Sequence, residues 1–518
     1  MSVIRETQSI CPECNKVLSA KIFERDGKVW IKRECQDHGE TEELYWGSYE
    51  MYMRASKFNL EGKGIENPSI KKEAIDCPSD CGLCKDHLTH TTLANIVVTN
   101  RCDLSCWYCF FYAERAGYVY EPSLEQIREM ARNLRNERPV PGNAVQLTGG
   151  EPCLREDLIE IIKTVKGEGI DHVQLNTDGI RLATDPTLAK RVREAGTNTV
   201  YLSFDGLTPK TNFKNHWEIP SILENCRSVG LGIVLVPTVI KSINDHEVGG
   251  IVDFASKNID VIRGVNFQPV SLTGRLTTAE RDKYRITIPD VIQRIEDQTN
   301  GEISKDDFYP VPCTGPITRF VEALTGRAHY ELSVHFACGA ATYLFKEGDR
   351  LIPITRFVDI DGLFEYLDEK ADEIERGKNR YWVAVKVLSR LGKFIDKEKQ
   401  PKGLNLSKII INALIRHNYE ALGEFHHKTL FIGMMHFMDK YNYDIERVRR
   451  CGIHYLVPNG LIIPFCAFNV IPEWYRDKIQ KDFGISIEEW EKKTGRRIKD
   501  DFYVRKVKRE ELAEAKMA

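Results

Sequence analysis

The chain has 518 residues, a formal net charge of −3 and 29 % charged residues. That length allows two to four domains, and the near-even charge balance argues against nucleic acid or a strongly charged partner as the main ligand. No apolar run reaches the ~18 residues of a membrane span, and the opening MSVIRETQSI lacks the basic-then-apolar pattern of a signal peptide, so a cytoplasmic protein is expected, with at most peripheral membrane contact.

Fifteen cysteines, an odd number, cluster in short motifs. In a long cytoplasmic chain such clusters read as metal or iron–sulfur ligands rather than disulfides. Residues 1–60 form the first module. Cys11 and Cys14 stand two residues apart, then a strand-like KVWIKREC, then Cys35 and His38 with the same gap. Two such pairs supply the four ligands of a tetrahedral ion, zinc or a rubredoxin-like iron. Residues 61–94 are polar and hold a second motif, CPSDCGLC, with Cys77, Cys81 and Cys84. It reads as three ligands of an auxiliary cluster, the fourth coming from elsewhere.

Over residues 95–300 short apolar strands alternate with amphipathic helices. The strands are LANIVVTN from 93, AVQLTGGEP from 144, HVQLNTDG from 172, TVYLSFDG from 199, GIVLVPTVI from 232 and GVNFQPVS from 264. The first helix opens on a capping box, Ser123 with Gln126. Six strands with helical crossovers predict a parallel sheet, too few for a closed eight-stranded barrel, hence an open (β/α)6 partial barrel. Residues 301–475 lose the rhythm and carry Cys313, Cys338, Cys451 and Cys466 in turn-like contexts, read as an auxiliary-cluster and cavity domain. These four are expected to hold another cluster, or one of them to complete the Cys77 site. The stretch 404–448 reads as helical, and 476–518 as a charged tail. Cys226, in a helix pattern, reads as a core residue; Cys153 stays open.

In a β/α barrel the site lies at the C-terminal ends of the strands. Here the first strand runs into CDLSCWYC, with Cys102, Cys106 and Cys109. Three thiolates hold three corners of a four-iron cluster and leave one iron open. The next strands end in Gly149, Gly150 and Glu151, then Asn176 and Asp178, then Ser203 and Asp205, and finally Phe267 and Gln268.

On these residues the chain resembles the radical S-adenosylmethionine (SAM) superfamily over about 95–275. The resemblance implies a [4Fe–4S] cluster on Cys102, Cys106 and Cys109, with SAM on the open iron. It implies a low-potential electron donor such as ferredoxin. Gly149, Gly150 and Glu151 would meet the SAM amino group. Ser203, Asp205 and Asn176 would meet its carboxylate and ribose. Tyr108, Phe267 and Gln268 would pack its adenine end. The order of all the cysteine motifs resembles the archaeal tetraether lipid synthases. That likeness implies joining of methyl carbons of two isoprenoid chains of a diether phospholipid, with two auxiliary clusters. LSKIIINALI from 406 and TLFIGMMHFMDKY from 429, with Met434, Met435 and Met438, would then wall a lipid tunnel. The rival expectations are a radical SAM enzyme modifying a peptide and a methylase of a lipid or cofactor.

Overall fold

One wide parallel sheet organises the fold. The computed structural model describes residues 2–109, 116–273, 278–402, 404, 406 and 429–505. Ahead of the sheet stands a small antiparallel meander of β1 (Ser2–Ile10), β2 (Val17–Arg25), β3 (Lys28–Cys35) and β4 (Gly39–Trp46), in that order. Asp26 and Gly27, at φ 53° and 70°, make the two-residue turn between β2 and β3, as an Asp-Gly pair favours.

The six expected strands are all present: β5 (Leu93–Thr99), β6 (Ala144–Gly149), β7 (His172–Thr177), β8 (Thr199–Ser203), β9 (Gly232–Val236) and β10 (Ile262–Pro269). They pair in parallel in chain order. Helices Leu124–Arg135, Leu158–Gly167, Leu188–Ala195, Ile219–Ser228 and Val248–Lys257 cross between them. The first carries the Ser123–Gln126 capping box. Alternate strand residues such as Ile96, Leu147, Leu175, Leu202 and Val265 are fully buried in the core. Their neighbours face the other way, into the lumen, as the two-residue period of a strand requires.

The sheet does not stop at six. Three later strands, β11 (Gly339–Glu347), β12 (Thr429–Met435) and β13 (Ile453–Leu456), join it, with β14 (Ile462–Pro464) completing a hairpin. β12 runs parallel to β10, and β13 runs parallel to β5. The parallel set therefore has eight strands, two of them supplied from beyond residue 300 at opposite edges. β11 and β14 are antiparallel to β12 and β13. The expected division at residue 300 is crossed by this sheet. Helices of that region, including Gly315–Thr325 and Ile360–Glu375, form a lobe with its own core around Phe320, Phe357 and Leu367.

Two further expectations change. Residues 429–435, read as helix, form strand β12 because they pair with β10 on one side and β11 on the other; residues 407–428 lie outside the described residues. The charged segment from 476 is docked as far as residue 505. Trp490 and Asp501 are buried, Asp501 accepts from Arg101 at 2.6 Å, and the Tyr503 N–H donates to the Asp103 carbonyl at 3.0 Å. No helix among the described residues is long and apolar enough to cross a membrane.

The meander is pinned to the barrel through Asp444. Its carboxylate is paired with Arg5 and accepts from Thr7 and Tyr45, each at 2.7 Å. Burial alone would raise this carboxyl, but Arg5, then His335 and the hydroxyls, hold it at about 2. Asp444→Ala leaves Glu446, at 2.7 Å, as the remaining carboxylate on Arg5, removes the acceptor of the Thr7 and Tyr45 hydroxyls, and should cost about 1–3 kcal/mol at neutral pH. A depressed carboxyl stabilises fully above its unfolded value near ~4 and loses that contribution as pH falls through the folded value. Thermal unfolding should therefore show a Tm gap between variant and wild type that closes in acid.

Candidate functional site

A cavity of about 280 Å³ opens at the C-terminal ends of the strands. Cys102, Cys106 and Cys109 line it, together with Tyr108, Gly149, Gly150, Glu151, Asn176, Ser203 and Gln268. The cysteine loop starts where β5 ends, and GGEP starts where β6 ends. The two are locked together. The Gly150 N–H donates to the Thr99 carbonyl at 2.9 Å, and the Glu151 N–H to the Arg101 carbonyl at 2.7 Å. A Cβ on Gly149 (φ 145°) would lie 2.0 Å from the Thr99 oxygen, and one on Gly150 the same distance from the Arg101 oxygen. The two glycines thus let β6 approach the root of the cysteine loop.

Glu151 is buried and already well supplied. It accepts from the Cys153 N–H, the Thr177 hydroxyl and the Asp178 N–H, each at 2.8 Å. Burial, then the charge of Asp103, still pushes it up to about 7. Asp178 rises to about 7 through burial and then Glu151; Asp103 rises to about 9 through burial and then Asp178. Both Asp103 side-chain oxygens and Asp178 Oδ2 are buried without a hydrogen-bond partner. The ligand atoms of Cys102, Asp103 and Asp178 lie within 4.8 Å of one another. One wall of the cavity is thus a knot of carboxyls short of positive charge.

A cation lines the same cavity. Lys214 Nζ pairs with Asp205 at 2.9 Å and sits 4.9 Å from the centre of the Tyr108 ring. Burial opposes its charge, but Asp205, then Tyr108 and Cys106, more than restore it, so the ammonium stays protonated. Asp205 also takes the Tyr108 hydroxyl and the Thr238 N–H. The structure therefore gives Asp205 three protein partners, and Lys214 the exposure to the cavity. Asn176 donates to Thr148 at 3.1 Å and still lines the cavity.

Phe267 does not reach the cavity. It is fully buried in the barrel core, while Asn266 and Gln268 face the lumen. The expectation for Phe267 was one residue out of phase with the strand. The lumen floor is polar. Gln174 donates to Gln146, and Gln146 donates to Asn95, each at 2.7 Å. Sequence reasoning passed over Lys214, Asn95, Gln146 and Asn266. The period-2 pattern of the strands could have found the three amides; Lys214 lies on a loop without a motif.

Elsewhere, Cys11, Cys14, Cys35 and His38 converge, with all four ligand atoms within 4.8 Å. Cys14 and Cys35 sulfurs are 3.9 Å apart, and His38 Nδ1 is 3.6 Å from the sulfurs of Cys11 and Cys35. A tetrahedral ion with bonds of about 2.3 Å to sulfur spaces two sulfurs about 3.8 Å apart, so the four fit one ion. His38, ahead of other groups, pulls the Cys35 thiol down to about 6. Cys313 does not join Cys338, Cys451 and Cys466. It is buried in the helical lobe among Phe320, Phe345 and Leu363, and burial pushes it up to about 12. Its Pro-rich context marks a turn into a helix rather than a ligand loop. Cys153 lies 3.5 Å from the Thr177 hydroxyl, and Cys226 is fully buried in the barrel core. Of the three methionines expected in a tunnel wall, Met434 and Met438 are buried in cores and only Met435 lines the cavity.

Residues 96–255 match the model of the radical SAM superfamily, and residues 3–47 that of the HMPTM N-terminal zinc ribbon domain. The 7,8-dihydro-6-hydroxymethylpterin dimethyltransferase of Methanocaldococcus jannaschii is 46 % identical over 502 residues, 94 % of this chain and 97 % of that protein. The GTP 3',8-cyclase of Clostridium acetobutylicum is 32 % identical over 42 % of this chain and 64 % of its own. Among solved structures, methylornithine synthase aligns at 17 % identity over 41 % of this chain and 64 % of that one, with a TM-score of 0.31. The expected carbon–carbon coupling of lipids is overturned, because the relative matched along nearly its whole length is named for methylation of a pterin. The superfamily implies a [4Fe–4S] cluster and SAM, and the zinc ribbon fits a mononuclear ion. The chain belongs to the radical SAM superfamily, in the family of the M. jannaschii pterin dimethyltransferase.

Proposed function

We propose that this protein is a radical SAM methyltransferase acting on a reduced pterin of the 7,8-dihydro-6-hydroxymethylpterin type. The observation that carries this is the 46 % identity to such an enzyme along nearly its whole length. The lumen supports it. Asn95, Gln146, Asn266 and Gln268 line the cavity, and amides offer both donors and acceptors. A pterin edge presents the same alternation. An alkyl chain would desolvate whichever of these amide groups the floor does not already pair, at about 1–3 kcal/mol each.

Cys102, Cys106 and Cys109 would hold the cluster. When bound, SAM supplies a 5'-deoxyadenosyl radical on one-electron reduction, the species needed to take hydrogen from an unactivated carbon. The charged groups of the cavity match the ends of its amino-acid part. The Glu151, Asp178 and Asp103 carboxyls suit the ammonium, and Lys214 suits the carboxylate. Asp205 and Tyr108 act as positioning residues that hold Lys214 in place. Asn176 and Ser203 remain proposed for the ribose. A low-potential donor must reduce the cluster.

Lys214→Met removes one charge-assisted contact, worth about 1.5–3 kcal/mol. SAM affinity, measured by equilibrium binding to the reconstituted protein, should fall roughly tenfold to a hundredfold, with the ribbon ion retained. For the substrate, the reduced, reconstituted protein with SAM and ring-deuterated 7,8-dihydro-6-hydroxymethylpterin should move deuterium into 5'-deoxyadenosine, and with a one-carbon donor also supplied should give a pterin heavier by two methyl groups. Cleavage of SAM with an unchanged pterin would sink the substrate assignment.

A further inference from the structure

A hydrogen-bonded ladder of side chains crosses the floor of the barrel. Gln174 on β7 stands opposite Gln146 on β6, and Gln146 opposite Asn95 on β5, by the parallel register of these strands. Neighbouring strands lie about 4.8 Å apart, so amides at one height reach each other. Gln174 Nε2 donates to Gln146 Oε1 and Gln146 Nε2 to Asn95 Oδ1, each at 2.7 Å. The ladder extends at both ends. Asn95 Nδ2 donates to the His454 carbonyl of β13 at 3.4 Å, and Gln174 Oε1 lies 3.2 Å from His172 Nε2.

The β13 end decides the direction of the whole ladder. A backbone carbonyl only accepts, so Asn95 must turn its Nδ2 to His454. That leaves Asn95 Oδ1 for Gln146 Nε2, Gln146 Oε1 for Gln174 Nε2, and Gln174 Oε1 for His172. His172 must then donate. Burial, opposed by the bond to Gln174 and aided by the charge of Lys166, holds this imidazole below its ordinary value. At neutral pH the ring is therefore uncharged, with its one proton on Nε2.

Turning any one amide would set oxygen against oxygen on one side and N–H against N–H on the other. Turning all three would set Asn95 Oδ1 against the His454 carbonyl. One layer up, Asn176 Nδ2 donates to Thr148 at 3.1 Å, also from β7 towards β6. Each amide carries two N–H groups and two oxygen lone pairs, and the ladder uses one of each. Asn95 and Gln146 line the cavity; Gln174 and His172 do not. The unused N–H and lone pair of Asn95 and Gln146 are thus set before any ligand arrives.

We propose that Gln174 and His172 are positioning residues for the substrate: they fix the orientation of Gln146 and Asn95 and so decide which edge of the ligand the floor accepts. The identity of that ligand as a pterin rests on the function proposed above; the order of donors and acceptors in the ladder does not.

The test is equilibrium binding of 7,8-dihydro-6-hydroxymethylpterin to the full-length reconstituted protein with SAM, from about pH 9 to about pH 5, each variant expressed as a ratio to wild type. In Gln174→Glu an ionised carboxylate can only accept, so Gln146 must turn, and its oxygen then meets Asn95 Oδ1. Pterin affinity should fall roughly tenfold or more at alkaline pH. A protonated carboxyl donates to Gln146 and accepts from His172, so the ratio should return towards one in acid. The charged groups on that side are His172 and, beside it, Lys166 of the helix Leu158–Gly167; protonating His172 leaves its Nε2–H in place. Gln174→Met breaks the ladder without reversing it, and should lose less affinity with no such pH dependence. His172→Leu should weaken pterin binding, and His172→Gln, which keeps a donor, should restore most of it. SAM binding and the ribbon ion should be retained throughout and report a folded chain. A Gln174→Glu affinity equal to wild type at alkaline pH overturns the proposal. So does the same pH-independent loss in Gln174→Glu and Gln174→Met. No pterin binding by a wild type that binds SAM overturns the substrate reading itself, and this proposal with it.

Discussion

The carbonyl oxygens of Thr99 and Arg101 stand 2.0 Å from where the Cβ atoms of Gly149 and Gly150 would be. Everything at the mouth of the barrel depends on that contact. It brings the root of the cysteine loop against β6 and delivers Glu151 beneath it. Glu151 then binds Thr177 and Asp178 at the end of β7. From the other side, Arg101 is held by Glu121 and by Asp501 of the docked C-terminal segment. A loop of three cysteines cannot keep its own shape; here backbone bonds and a buried ion pair keep it.

The second constraint is the two-sidedness of the strands. Each sends aliphatic side chains outward to the helices and polar ones inward. The outward set builds the core; the inward set decides what the lumen accepts. Carboxyls and a lysine line its mouth, with amides on the floor. Such an interior suits a zwitterionic cofactor end and a flat, hydrogen-bonding substrate. The edges of the sheet matter equally. β12 and β13 flank the six-stranded set, and the aromatic stack of Phe437, Phe465 and Tyr455 lines the cavity.

Much of this was legible in the sequence. The six strands, the Ser123 cap, the cysteine loop and the ribbon ligands all follow from local pattern, because each is made by residues close in the chain. β12 and β13 were not legible. They take meaning only from partners far away in the chain, β10 and β5. Lys214 is a lysine on an unremarkable loop until the fold sets it beside Asp205. Phe267 was read one residue out of phase, since a strand end alone does not say which face a side chain takes. Cys313 was grouped with three other cysteines that share its turn-like context but not its core. The lipid reading had a different cause. The order of cysteine motifs reports which metal centres a chain carries, and enzymes with different substrates share that plan. On the proposed reading the substrate is recognised by Asn95, Gln146, Asn266 and Gln268, single amides that form no motif.

The central claim is that this amide-lined lumen receives a reduced pterin. Equilibrium binding of 7,8-dihydro-6-hydroxymethylpterin to the reconstituted protein with SAM, compared with a Gln268→Leu variant, tests it most directly. The account predicts saturable binding of one pterin per chain, weakened in the variant while SAM binding is unchanged. Saturable binding that the variant leaves untouched, or none at all in a protein that still cleaves SAM, would contradict it.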